Sequence, residues 1–216
     1  MFEFIYQLHE AFEQAGLPNP LKETLHLCDI LTNGALRELD GRSASDLNLE
    51  QLIQQRLNGM PLEYILNRTV FMGRPFTCAP GALIPRAETE LLVRTVLQHV
   101  APGDQTKPLT IVDVGTGSGN IAVSLALALP QSQLFALDIS ADAVAIAQAH
   151  VAQYDLQDRV KVLCGDLFEP LANLACDNQV DVVVCNPPYI PSGSLSSMSA
   201  EIIEHEPLVA LDAGPY

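Results

Sequence analysis

Apolar residues recur at helical spacing through roughly the first sixty positions and then give way to an alternation of strand-like and helix-like runs. Phe2, Ile5, Leu8 and Phe12 fall on one face of a first helix that ends at Ala15-Gly16 before Pro18. A second helix is predicted over about 21–32, closed by Asn33-Gly34. A third begins at Asn48, an N-cap with Gln51 as its capping-box partner. Leu49, Leu52, Ile53 and Leu57 are its expected buried stripe, and Asn58-Gly59 followed by Pro61 stops it. Between Pro61 and Pro85, short β-like runs broken by Gly73, Pro75, Pro80 and Gly81 predict a hairpin linker. Helical spacing returns from Glu88 through Leu91, Leu92, Thr95, Val96 and Val100, until Ala101-Pro102-Gly103-Asp104 breaks the chain.

The rest reads strand then helix: 110–114, 119–129, 133–137 and 141–154, with further apolar, β-branched runs at 160–164 and 180–185. Runs of this kind, expected to be buried on both faces, are what parallel strands look like, so the fold class is a doubly wound α/β sheet with a small N-terminal helical domain. Right-handed crossovers then put the strand C-termini on one rim, where ligands bind. The expected organisation is a helical domain over 1–60, a hairpin linker over 61–85 and an α/β domain over 86–216.

Composition narrows the function. The 216 residues are 48% hydrophobic and 17% charged, a globular balance, and apolar stretches such as 121–130 are too short to cross a bilayer. The N-terminus lacks the positive flank of a signal peptide, so a cytoplasmic, non-membrane protein is expected. Five scattered cysteines (Cys28, Cys78, Cys164, Cys176, Cys185) and five histidines show neither a Cys-x-x-Cys nor an i, i+4 His pair. No metal site and no disulfide framework is expected, and Cys164 and Cys185 read as core packing. A net charge of −15 opposes direct nucleic-acid binding and favours a protein or small-molecule substrate.

Two segments carry chemistry. The first strand runs into Gly115-Thr116-Gly117-Ser118-Gly119-Asn120, a G-x-G-x-G turn in which glycine permits positive φ and close approach of a ligand. It is not the G-x-G-x-x-G of dinucleotide folds, because Asn120 stands at the place of that motif's third glycine. Asp138, nineteen residues after Gly119, ends the second strand, where a carboxylate accepts both hydroxyls of a ribose. Asp166 follows the third strand, at the level of an adenine edge. The blander role for both is a helix cap or a turn, and their succession on consecutive strands favours a nucleoside site.

The fourth strand delivers Asn186-Pro187-Pro188-Tyr189. An amide nitrogen is a poor nucleophile because its lone pair is delocalised into the carbonyl. Hydrogen bonds from its two N–H groups to the Asn186 side-chain oxygen and the Pro187 carbonyl raise its electron density and aim it. Proline fixes that carbonyl by locking φ, and Tyr189 gives a planar group a face to stack on. The pattern points to methylation of a planar amide or amino nitrogen with S-adenosylmethionine as donor.

With these motifs the sequence resembles the release-factor glutamine N5-methyltransferases, the HemK-like family of class I, Rossmann-like methyltransferases. The likeness also covers Gly59-Met60-Pro61-Leu62-Glu63-Tyr64-Ile65-Leu66, Leu83-Ile84-Pro85-Arg86-Ala87-Glu88-Thr89-Glu90-Leu91-Leu92, Leu137-Asp138-Ile139-Ser140 and Glu206-Pro207-Leu208-Val209-Ala210-Leu211. The resemblance implies a helical domain that recognises a peptide chain release factor and a catalytic domain that methylates the glutamine of its Gly-Gly-Gln loop. By position, Gly115, Thr116, Gly117, Ser118, Gly119, Asp138, Asp166, Leu167 and Asn186 would hold S-adenosylmethionine, and Asn186, Pro187, Pro188 and Tyr189 the glutamine. Arg86 and Glu90 would organise the domain junction, the blander reading being an i, i+4 surface pair. Asn67-Arg68 and Ala87 depart from the family pattern, and the chain stops at Tyr216 where family members continue with three more strands. A truncated, monomeric form with an exposed fourth strand is therefore expected. The competing readings are an adenine-N6 DNA methyltransferase, which uses a similar Pro-Pro-Tyr motif on a flipped base, and a non-catalytic module that docks a release factor.

Overall fold

The computed structural model describes residues 2–32, 48–100, 108–172 and 179–215. Asn33-Gly34, the 101–104 break and Cys176 lie outside them. The chain divides into two compact units: Met1–Cys78 with Ser199–His205, and Ala79–Met198 with Glu206–Tyr216. The hairpin expected to be a linker falls within the first unit, as does a short helical segment from far along the chain.

In the first unit, α1 (Phe2–Gln14) packs on α2 (Pro20–Thr32), with α3 (Leu49–Leu57) and the single turn α4 (Leu62–Ile65) completing the cluster. Its core is Phe4, Leu8, Phe12, Leu17, Leu27, Cys28, Ile30, Leu52 and Leu62. Two expectations about helix faces are corrected. Phe4, not Phe2, belongs to the buried stripe of α1, and Phe2 is exposed. In α3 only Leu52 is fully buried and Leu57 is exposed, because Arg56 one residue earlier is turned inward instead. Its guanidinium donates two hydrogen bonds to Glu23 at 2.9 Å and a third to the Met60 carbonyl at 2.8 Å.

Asn48 caps α3 as expected, accepting from the Gln51 N–H at 3.2 Å. The return bond differs from a capping box, since Gln51 accepts from the Asn48 side chain at 3.1 Å and not from its backbone. The strands β1 (Thr69–Phe71) and β2 (Arg74–Phe76) form the hairpin, with Met72 and Gly73 both at positive φ as a two-residue turn of the primed type requires. The stretch before it, expected to be β-like from Pro61, opens instead with α4.

The second unit is built on four parallel strands, β3 (Thr110–Val114), β4 (Gln133–Asp138), β5 (Val160–Cys164) and β6 (Val182–Cys185), in the order β5-β4-β3-β6. Its helices include α5 (Ala87–Val100), α6 (Asn120–Ala128) and α7 (Ala141–Gln153); α8 (Ala200–His205) groups with the first unit. The central strands β3 and β4 are buried nearly throughout, while β5 and β6 are half open, so burial on both faces holds only for the middle of the sheet. On α5 the helix is where the spacing placed it, but Val93 is its buried residue and Leu91 points outward.

Strand order positions the site. The chain goes from β3 to β4 and β5 on one side, then returns to place β6 on the other, so β3 and β6 are neighbours and the chain leaves β3 away from β6. Their last residues pair, Val114 with Cys185. At such a switch point the loops part and leave a crevice above the strand ends. The glycine loop and Asn186-Pro187-Pro188-Tyr189 open from its two sides.

Candidate functional site

Gly115, Gly117 and Gly119 all take positive φ, at 69°, 55° and 78°. A Cβ on Gly115 or Gly117 would meet open space, so the backbone there is bare toward the crevice. Gly119 is different: it is the N-cap of α6, and a Cβ would stand 3.0 Å from the Ala147 Cβ and 3.2 Å from its Cα. The third glycine thus serves packing of the loop on α7. The same helix presents His150, buried, whose Nδ1 lies 2.7 Å from the Ser118 carbonyl. Burial lowers the basicity of this imidazole, and the Ser118 carbonyl acts in the opposite sense.

Asp138 uses both carboxylate oxygens on backbone: Oδ2 accepts from the Gly117 N–H at 2.8 Å and Oδ1 from the Ser140 N–H at 2.9 Å. Ser140, not Asp138, caps α7, accepting from the Ala143 N–H. Each carboxylate oxygen can accept a second hydrogen bond, which leaves capacity for two vicinal hydroxyls. Asp138 is therefore both a turn residue and a cavity-lining acid.

A cavity of about 350 Å³ lies over the strand ends, within the size range of small-molecule sites. Gly115, Thr116, Gly117, Ser118, Asp138, Asp166, Leu167, Asn186, Pro187 and Pro188 all line it; Gly119 sits behind it. A second cavity of about 290 Å³ is lined by Asn186, Pro187 and Tyr189 together with Leu83, Glu88, Thr89 and Leu92. Leu83, Arg86, Thr89, Asn186, Pro187 and Ala210 belong to both. Asn186 is half-buried at this shared boundary and Tyr189 is largely exposed.

Arg86 pairs with Glu206, and Glu90 accepts from Arg94 at 3.0 Å one helical turn on. Glu90 is not among the residues lining either cavity. Cys164 and Cys185, expected in the core, are exposed because each is the last residue of its strand, at the open rim. Burial, and after it the neighbouring Asp113 charge, push the Cys185 thiol up.

Sequence reasoning missed Asp113, Thr89, Glu206 and Asp212. Asp113 is wholly buried on β3, and its Oδ2 accepts from the Thr116 hydroxyl at 2.7 Å, fixing the glycine loop from below. Burial pushes its carboxyl up to about 7, with Asp138 adding to the rise and the Thr116 hydroxyl and Ala122 N–H opposing it. The unfolded chain loses this proton near pH 3.8, so between there and about 7 the folded state holds a proton that the unfolded state has released. Stability from this group is full below that window and lost as pH rises through it. Asp113→Asn, which keeps an acceptor for Thr116, is expected to remove that part of the decline. Urea unfolding from pH 4 to 8 reads it, and parallel profiles for the two proteins would refute the assignment.

Residues 87–210 match the methyltransferase small domain family, more than half of the chain, and the chain belongs to that family. S-adenosylmethionine is the methyl donor its members use. Among relatives, the chain is 42% identical over 165 residues to a release factor glutamine methyltransferase of Moorella thermoacetica, covering 76% of this chain and 56% of the relative. It is 40% identical to that of Geobacter sulfurreducens, over 76% and 54% of the two chains. A bifunctional methyltransferase of Rickettsia bellii is 32% identical over 93% of this chain and 41% of its own length. The chain thus spans about half the length of the curated relatives it matches. Among solved structures, a human methyltransferase 10 domain containing protein superposes with a TM-score of 0.44 at 22% identity, over 73% of each chain.

Proposed function

We propose that this chain carries the donor and acceptor sites of an S-adenosylmethionine-dependent enzyme that methylates the glutamine side-chain nitrogen in the Gly-Gly-Gln motif of peptide chain release factors. The observation that carries the reading is the pair of cavities that adjoin at Asn186 and Pro187. One suits a nucleoside donor and the other, smaller, suits a side-chain amide. The larger cavity fits the donor by its bare glycine backbone and by the spare acceptor capacity of Asp138.

Gly115, Thr116, Gly117 and Ser118 would form the donor's backbone cradle, with Gly119 packing that loop on α7; Asp138 would accept the ribose hydroxyls, and Asp166 and Leu167 would hold the base. S-adenosylmethionine supplies an electrophilic methyl group on a sulfonium leaving group. Asn186 Oδ1 and the Pro187 carbonyl accept the two amide N–H bonds of the glutamine, Pro188 stiffens the segment and Tyr189 covers the amide plane. With the donor bound, the glutamine nitrogen held by Asn186 and Pro187 would take the methyl group as the sulfonium leaves as a thioether, and one amide proton would pass to solvent. Orientation and hydrogen bonding supply the rate, with no dedicated general base. Residues 1–60 would recognise the release factor, and the chain would pass to the methyltransferase domain after the hairpin, at Cys78-Ala79.

The test is mass spectrometry of a release factor incubated with this chain and S-adenosylmethionine. A gain of one methyl on the Gly-Gly-Gln glutamine is expected. Transfer of labelled methyl to duplex DNA and not to the release factor would overturn the acceptor, and absence of cofactor binding by calorimetry would leave a docking module.

A further inference from the structure

Leu83 and Arg86 contribute to the wall shared by the two cavities from a segment, residues 81–86, that lines the larger one and forms neither helix nor strand. Such a segment has no ladder of its own to fix its position. Opposite it stand Pro207, Val209, Ala210 and Asp212, from the part of the chain that follows α8. These stretches are more than 120 residues apart in sequence, and Glu206 ties them together. Its side chain is 1% exposed. Oε2 accepts from the Ile84 N–H at 3.1 Å, while Oε1 accepts from the Arg86 guanidinium. One carboxylate therefore grips the wall at two points, two residues apart, on either side of Pro85.

The chemistry requires a carboxylate here. A buried charge is tolerated only when paired and hydrogen-bonded, and both oxygens of Glu206 have donors. A glutamine has one acceptor oxygen and turns an NH₂ group toward a second donor, so one of the two grips is lost. Arg86 lines both cavities and Ile84 the larger, so whatever fixes these two residues fixes the boundary at which donor and acceptor meet.

We infer that Glu206 is a positioning residue for methyl transfer, acting through Ile84 and Arg86 to set the wall common to the donor and acceptor cavities. This rests on the larger cavity being the donor site and not on the identity of the acceptor. Loosening the clasp lets the wall shift, weakening donor binding and misaligning transfer together. A residue that only stabilised the fold would lower the melting temperature and leave both unchanged in the folded fraction.

The experiment compares Glu206→Gln, Arg86→Met, Arg86→Lys and the Glu206→Gln/Arg86→Met double variant. For each, S-adenosylmethionine Kd is measured by calorimetry, kcat and KM on a release factor, and melting temperature by circular dichroism. Each of the first two variants is expected to raise the cofactor Kd about tenfold and lower kcat on the order of a hundredfold, the scale of a small misplacement at a reacting centre. The double variant is expected to be no worse than the weaker single, because the two side chains act as one unit. Arg86→Lys, which keeps the charge, recovers part of the loss. Unchanged Kd in Glu206→Gln and Arg86→Met proteins that remain folded overturns the inference, as does full additivity in the double. If Glu206→Gln fails to fold, the Arg86 pair reads the same wall, since that side chain is 35% exposed. If the wild-type chain binds cofactor yet methylates no release factor, the acceptor reading fails while the Kd series still decides the role of Glu206.

Discussion

Asn186→Ala is expected to reduce methyl transfer by about a hundred- to a thousandfold, the scale on which enzymes lose rate when one preorganised hydrogen-bonding group is removed. Cofactor affinity should change far less. Asn186 lines both cavities, but the proposed donor cavity is also bounded by the glycine loop, Asp138, the 165–167 turn and the 81–86 segment, none of which the substitution alters. In the acceptor cavity the loss is direct. The Pro187 carbonyl remains to hold one amide N–H, while the second N–H has nothing in its place, so the amide rotates and its lone pair is no longer aimed. Because the interaction matters most as the nitrogen develops bonding to carbon, the effect belongs in kcat more than in KM. Calorimetry with S-adenosylmethionine and single-turnover transfer to a release factor separate the two. Turnover near the wild-type rate would sink the proposed mechanism.

Gly119→Val should cost the protein both its cofactor site and much of the stability of the second unit. The residue sits at φ 78°, in the left-handed region, where a side chain costs roughly 1–2 kcal/mol. Its Cβ would stand 3.0 Å from that of Ala147, and overpacking of a filled site adds about 1–3 kcal/mol. The sum, roughly 2–5 kcal/mol, is a large share of the stability of an ordinary domain. Any relief requires α6 to shift away from α7, which pulls Ser118 from His150 and distorts the loop. Gly119→Ala should be milder, and Ala147→Gly added to it should recover part of the packing cost, the Ala147 Cα at 3.2 Å remaining, while leaving the backbone part. Thermal melting and cofactor Kd measured side by side read both. A valine variant that melts and binds like the wild type would show that the third glycine has no packing role.

Local periodicity was enough to place the elements of the second unit. The strands 110–114 and 160–164 lie where the sequence analysis put them, and the helices and remaining strands differ by a residue or two at their ends. Alternation of short β-branched runs with helical ones is written residue by residue in the chain, as are the glycines whose positive φ the turn demands. The position of the Asn186 tetrapeptide at the end of a strand was legible for the same reason, since an apolar β-branched run leads directly into it.

Which face of an element is buried was less legible, because it depends on what packs against it. Phe2 and Phe4 are equally apolar, and only the position of α2 decides that Phe4 is covered. Leu57 is exposed because Arg56 found Glu23, thirty-three residues away. Cys164 and Cys185 read as core because their runs are apolar, and they are exposed because each run ends at the rim. The sequence by itself thus determined the order and kind of the strands and longer helices and the two loops that line the cavities, since those signals are local. Only the tertiary structure decided that β6 returns beside β3, that the two loops open on one crevice, and that Glu206 meets Arg86. A contact between residues 120 positions apart leaves no periodic trace in either neighbourhood, so it becomes visible only once the chain is folded.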